Sequence, residues 1–280
     1  MAKKRKKRKK SSNKRVVPAI LLLLLLIGCG MWHMKQTRQN PSPATSQILP
    51  HIPNAEMAQT PASRTEQILR RTGYIVSYNA RWKQPNWVGY ELLRSELQGS
   101  STRTDQFLTD PDVTGIPANT RDYTRSGYDR GHMAPAADMK WSDKAMEESF
   151  LLTNICPQSP GLNRGRWKEL EEQVREWARR DSALLIVCGP IVDTSKKTIG
   201  QHQIVVPDRY FKVVAAPYLD TPRGIAFLFD NSNDQPSMKA LAIPIDSVEK
   251  ITGIDFFYLL PDSIETQIES NISPELWNLN

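Results

Sequence analysis

From residue 74 onward the chain alternates apolar runs with polar interruptions, and the period of those runs predicts most of its elements. YIVSYNARW and WVGYELL flank Gln84-Pro85-Asn86 and read as two strands of a hairpin with its turn at those three residues. ALLIVCGPIV, HQIVVP, YFKVVAAPYL and GIAFLFDN are separate apolar runs bounded by glycine, proline or charge, and they read as further strands of one sheet. Helical spacing is rarer. Ser142 is placed to cap a short helix in SDKAMEESFLL, and residues 164–180 put Trp167, Leu170, Val174 and Trp177 on one side of a longer helix. Ser63-Arg64-Thr65-Glu66 resembles an N-cap followed by a short helix, SVEKITG predicts a helix near the end, and FFYLL predicts a last short strand. The sum is an α+β domain with a mostly antiparallel central sheet flanked by helices.

The stretches that break this pattern set the domain plan. Residues 95–127 are polar, with Gly99, Pro111, Gly115 and Pro117, and predict a long ordered loop, a feature that is usually functional when it occurs in a compact domain. Residues 35–62 hold five prolines among Gln, Asn, Ser and Thr and read as an extended linker. Ahead of it, VVPAILLLLLLIGCGMWHM at residues 16–34 is long enough to cross a bilayer and follows a basic tail at residues 1–15. By the positive-inside rule the tail is cytoplasmic, and the expected plan is tail, membrane segment, linker and a domain over residues 63–280 on the extracytoplasmic side, periplasmic or outer. Trp32 and Lys35 suit the boundary of a signal anchor; the alternative is a lipobox at Leu26-Ile27-Gly28-Cys29 with lipidation of Cys29.

Charge changes the picture only after it is localised. The formal net charge of +7 suggests a polyanion partner, but 12 of the 37 basic residues precede residue 61, and the remainder faces 29 acidic ones. Affinity for nucleic acid therefore requires a local basic face, for which Arg164, Arg166 and Lys168, with Arg121 and Arg125, are the candidates.

The segment YDRGHMAPAADM, residues 128–139, carries the candidate chemistry. Asp129, Arg130, Gly131 and His132 are consecutive, fit neither a period of 2 nor of 3.6, and are costly to bury unpaired. An imidazole there is either an ordinary hydrogen-bonded loop histidine or a general base. On the long helix, Asn163, Trp167, Glu171 and Arg175 follow at steps of four, a ridge suited to holding a hydrated divalent ion beside a phosphate, or simply a helix cap followed by a surface ion pair. His202 reads as structural, and Asp138 either supports the loop or caps the next turn. Cys156 and Cys188 are a disulfide candidate whose spacing is not diagnostic, and no Cys/His grouping suggests zinc.

Asp129-Arg130-Gly131-His132, Thr153-Asn154-Ile155-Cys156-Pro157-Gln158, Leu162-Asn163-Arg164-Gly165-Arg166-Trp167 and Leu170-Glu171 together resemble the DNA/RNA non-specific endonucleases of the ββα-metal group. Asn86-Trp87-Val88-Gly89-Tyr90, Gly189-Pro190, Phe227-Leu228-Phe229-Asp230 and Leu260-Pro261-Asp262 extend the resemblance over the whole domain. It implies the ββα-metal fold and hydrolysis of DNA or RNA phosphodiesters with little sequence preference, leaving 5′-phosphate and 3′-hydroxyl ends. His132 would be the general base, Asn163 the direct ligand of one magnesium ion, with manganese as the alternative, and Glu171 the residue orienting the ion's waters. Arg103 would stabilise the charged transition state, and Arg130 and Arg175 would help hold the phosphate. Two other classes stay open at this point: a catalytically silent nucleic-acid-binding module, and a phosphodiesterase on a smaller substrate. The sequence also leaves open a homodimer and a protein partner.

Overall fold

The computed structural model of the protein describes residues 49–193 and 197–279. Four strands open it: β1 (Ala58–Gln59), β2 (Gln67–Arg70), β3 (Ile75–Asn79) and β4 (Gln84–Leu93). After the long polar loop come strand β5 (Asp129–His132), helix α1 (Asp143–Glu148), strand β6 (Ile155–Gln158) and helix α2 (Trp167–Asp181). Strands β7 (Ala183–Ile191), β8 (Thr198–Ile199), β9 (Ile204–Val205), β10 (Arg209–Ala216) and β11 (Arg223–Asp230) follow. Helix α3 (Met238–Leu241), strand β12 (Ala242–Ile243), helix α4 (Ile245–Thr252), strand β13 (Asp255–Phe256) and helix α5 (Asp262–Glu269) complete the described elements.

Seven strands form one sheet in the order β12-β11-β10-β7-β4-β3-β2, and every neighbouring pair is antiparallel. The inner strands are apolar at nearly every position because helices or loops cover both of their faces. On one face Tyr90, Ile186, Tyr210 and Phe227 pack against the buried side of α2, which presents Trp167, Leu170, Val174 and Trp177. On the other, Trp87, Leu185, Val187, Phe211 and Val213 pack against Ile245 and Val248 of α4, Ile268 of α5 and Phe256 of β13. Strands β5 and β6 pair with each other outside the large sheet, on the α2 side. The expected antiparallel sheet flanked by helices is present. So is the helix expected after Ser142, whose Oγ accepts from the Ala145 amide at 3.3 Å.

Several local expectations need correction. The domain does not begin at residue 63: Ala55 and Ala58 are buried in the second core, β1 pairs with β13, and Trp87 Nε1 donates to Thr60 Oγ1 at 2.8 Å. A partner strand nearly two hundred residues away helps make this prolyl segment part of the fold. Ser63–Glu66 starts no helix and leads directly into β2. The hairpin turn falls at residues 80–83, where Lys83 takes a positive φ of 58°, while Gln84-Pro85-Asn86 lie inside β4. Asn86 is fully buried there, and its amide donates to Ser77 Oγ and to the Thr65 carbonyl.

The Asp129–His132 segment is a strand rather than a loop, and the last apolar run contributes no strand beyond β13. Cys156 and Cys188 are buried free thiols, and the Cys188 thiol donates to the Met133 carbonyl at 3.1 Å. The basic tail, the expected membrane segment at residues 16–34 and the first half of the linker lie outside the described residues. Among the described residues no helix is long and apolar enough to cross a membrane.

Candidate active site

Pairing with β6 gives β5 its shape. Residues two apart on a strand share a face, so Arg130 and His132 project together, and both line one cavity of about 380 Å³. Gly131 sits opposite Cys156, where a Cβ would come within 2.0 Å of Gln158 Oε1, so any side chain at 131 would have to displace the buried Gln158 side chain. The chain after His132 is pinned by Asn154, whose buried amide exchanges hydrogen bonds with the backbone of Ala134 at 2.8 and 2.9 Å. Trp167 Nε1 donates to the His132 carbonyl at 3.2 Å and so ties the start of α2 to the strand.

Arg103, Arg130, His132, Asn163, Arg164, Lys168, Glu171 and Arg175 all border the cavity, with Pro135, Ala136 and Ala137 as its apolar wall. Arg166 does not border it: its guanidinium turns to the Pro236 carbonyl and to Glu169. Arg121 and Arg125 are exposed on the loop before β5, outside the cavity. His202 lies elsewhere, with Nδ1 2.8 Å from Asp122, in keeping with a structural role.

His132 is nine-tenths buried between Phe107 and the edge-on ring of Phe150, with ring centroids 5.4 and 5.0 Å away. Burial, assisted by the Arg103 guanidinium, pushes its pKa down to about 3, so the imidazole is neutral across the physiological range. Its Nε2 is buried and has no hydrogen-bond partner among the described residues. Arg103 lies over Phe150 and pairs with Asp105. Arg130 donates to the Thr120 carbonyl at 3.0 Å and rests against Phe107 and Tyr123.

Asn163 is not on the helical ridge that the sequence suggests. Residues Leu162–Arg166 form a wide irregular turn, with Gly165 at φ −104° and ψ −114°, and α2 begins only at Trp167. That turn carries Asn163 toward β5, where its Nδ2 donates to Asp129 Oδ2 at 3.0 Å. Asp129 accepts only, so this contact fixes the amide and leaves Oδ1 as the atom available to a cation. Burial works against the Asp129 carboxylate, but the two-pronged contact with Arg164, at 2.6 and 2.7 Å, and Asn163 hold its pKa below the usual range.

Glu171 and Arg175 stand one turn apart on α2. Burial lifts the Glu171 carboxyl to about 7, against the pull of Lys212. Arg175 donates to Asp138 at 2.9 Å, and Asp138, almost fully buried, also accepts from Tyr90 at 3.1 Å. Burial raises Asp138 although Arg175 opposes the shift. Asp138 thus supports the site from beneath. Lys212 is fully buried on β10, with Nζ 4.5 Å from the centre of the Trp167 ring. The sequence gives no hint of this, since Lys212 reads as one polar position within an apolar strand. Nor does it single out Phe107 and Phe150, or the part Asp129 plays in holding Asn163.

As a donor set, one amide oxygen beside one half-buried carboxylate suits a hard divalent ion that keeps most of its own water. It does not suit an ion that needs a full protein cage. The arginines and Lys168 make the opening electropositive and complementary to a phosphodiester.

A model of the DNA/RNA non-specific endonuclease family matches residues 54–263, from the turn before β1 into α5. The chain is 35% identical over 203 residues to the mitochondrial nuclease EXOG of Danio rerio, a match covering 66% of this chain and 59% of that protein. It is 32% identical over 219 residues to a nuclease of Nostoc sp., covering 73% and 78%, and 30% identical over 233 residues to mitochondrial endonuclease G of Bos taurus, covering 74% and 77%. A crystal structure of the EndoG/EndoGI complex superposes with a TM-score of 0.65 at 28% identity, covering 73% of this chain and 89% of that one. The matched span includes the whole large sheet, the β5–β6 ribbon and α2, and hence every residue that borders the cavity. The chain therefore belongs to the DNA/RNA non-specific endonuclease family, a family of divalent-metal-dependent nucleases, and is an enzyme of that class.

Proposed function

We propose that the protein is a magnesium-dependent, largely sequence-non-specific endonuclease on DNA or RNA, leaving 5′-phosphate and 3′-hydroxyl ends and tethered to a membrane through residues 16–34. The observation that carries the catalytic reading is the convergence of a neutral buried imidazole, an oriented amide oxygen and four guanidinium groups on one cavity. His132 takes a proton from the attacking water; its burial keeps it unprotonated and the Phe107–Phe150 clamp fixes its direction. Asn163 and Glu171 would hold the ion, which when bound neutralises phosphate charge and stabilises the leaving oxygen. Arg103, Arg130 and Arg175 orient the phosphate, and Arg164 and Lys168 extend the basic lip along the nucleic-acid backbone. Contacts of this kind fix position without reading bases. Manganese is the alternative ion.

The test is a metal titration of turnover on plasmid and on RNA. His132→Ala lowers turnover by about 10²–10⁴-fold with the magnesium requirement unchanged, whereas Asn163→Ala raises the requirement and recovers part of its rate in excess metal. Full repair of His132→Ala by excess magnesium would falsify the base assignment. The tethering rests on the basic flank that precedes the long apolar run. Protease added to intact cells then releases an active fragment; a domain that stays protected until the membrane is lysed overturns the orientation.

A further inference from the structure

On the sheet face opposite the cavity, three carboxylates converge. Asp246 and Glu249 stand three residues apart on α4, Glu269 ends α5, and one carboxylate oxygen of each lies within 4.8 Å of the others. Glu269 is more than nine-tenths buried, and its Oε1 has no hydrogen-bond partner among the described residues. Glu249 is held in place from one side, since its Oε1 accepts from the Phe256 amide of β13 at 2.9 Å. Apart from burial itself, the groups that act on Glu269 are all acidic: Glu249, Glu265, Asp246 and Asp255. Lys250 acts on Glu249, but less than its acidic neighbours Asp255 and Asp246.

We propose that Asp246, Glu249 and Glu269 form a second cation site, of the calcium class, that clasps α4 to α5 on the non-catalytic face. A buried carboxylate with no partner is expensive, and a group of this kind is ordinarily paired or bound to a metal. Calcium takes oxygen ligands at about 2.3–2.6 Å, so two oxygens on opposite sides of one ion are about 4.8 Å apart, and these three fit one coordination shell. Three direct carboxylates favour calcium over magnesium, which gives up its water reluctantly. Glu269 also lies beyond residue 263, where the family match ends, so the complete triad is not part of the shared catalytic span.

The experiment is thermal unfolding of the full-length protein at about pH 8 with and without about 5 mM calcium. Calcium raises the Tm of the wild type by about 5 °C. Asn163→Ala keeps that rise, which separates the clasp from the active site. Glu269→Gln loses it while its calcium-free Tm stays close to the wild-type value, because the amide matches the carboxyl group in shape but brings no anionic ligand. Asp246→Asn, at a half-exposed position, loses most of it and serves should Glu269→Gln not fold. Equilibrium dialysis of Asn163→Ala finds one bound calcium. The proposal is overturned by the absence of a calcium-dependent rise in wild type and Asn163→Ala, or by a rise of undiminished size in Glu269→Gln or Asp246→Asn. An equal or larger rise with magnesium overturns the assignment to calcium.

Discussion

The two faces of the sheet bury acid in opposite ways. Beneath the cavity Asp138 is matched by the chain itself, with Arg175 at 2.9 Å and the Tyr90 hydroxyl at 3.1 Å. Across the sheet Glu269 is also buried, but the groups that act on it most are other carboxylates. A charge compensated by fixed groups makes a rigid base for a site, because its partners cannot leave. Where compensation must come from solution, the fold instead depends on what the solution contains. The catalytic face is thus organised in advance, and the opposite face is conditional.

Removing the fixed cation turns the first kind of burial into the second, and this is the largest effect we expect. Arg175→Met leaves Asp138 buried without its partner and costs about 3–5 kcal/mol in denaturant unfolding. Asp138→Asn added to Arg175→Met restores part of it. A loss below about 1 kcal/mol for Arg175→Met shows that Asp138 is not held as a charge at all.

Next in size is a change confined to the conditional face. A chain starting at residue 63 lacks Ala55, Ala58 and the Thr60–Trp87 hydrogen bond, and leaves β13 without a partner. Against a chain starting at residue 49 it loses about 2–4 kcal/mol. Turnover per folded molecule stays the same, since no residue before 63 borders the cavity. A drop in specific activity with unchanged stability contradicts this separation of the faces.

How much of this was legible in the sequence follows from the range of the interactions involved. The helix after Ser142 and the apolar strands 183–191, 209–216 and 223–230 were readable because their signals, a cap and unbroken burial, are local. β1 and β5 were not, because each is made a strand by a distant partner, β13 for one and β6 for the other. The site divides along the same line. His132, Asn163, Glu171 and Arg175 stood out through motif resemblance, and the cavity gathers them. Their geometry departs from the predicted ridge at Asn163, where the backbone of Gly165 breaks the four-residue spacing, and nothing local shows that Asp138 and Arg175 meet or that Lys212 is buried under Trp167.

Glu171 lies between the two kinds of burial, since Lys212 compensates it only in part and its carboxyl titrates at about 7 instead of 4.5. A folded pKa above the unfolded one means that the folded state binds more protons between those values. Stability is therefore fully retained below the unfolded pKa and lost as pH rises through 7. Glu171→Gln removes that loss. Discounted for the water in the cavity, the variant is about 1–2 kcal/mol more stable than wild type at about pH 8, with no advantage near pH 5, while turnover collapses. An advantage that is the same at both pH values assigns the gain to packing and not to charge.

The smallest expected change is at His132. An ordinary imidazole titrates near 6.5, and a base of that kind would be about thirtyfold depleted at pH 5. Burial between Phe107 and Phe150, with Arg103 beside it, moves His132 to about 3. Its ring resonances in an NMR titration of the metal-free protein should therefore hardly move between about pH 8 and pH 5. An acid limb of the rate between those values then reports a group other than His132, with the base still in its working form. Arg103→Ala separates the two causes of the shift: it lifts the His132 midpoint without returning it to 6.5, because burial is the larger cause. A midpoint near 6.5 in the wild type shows that water reaches the imidazole, and assigns the acid limb to His132 after all.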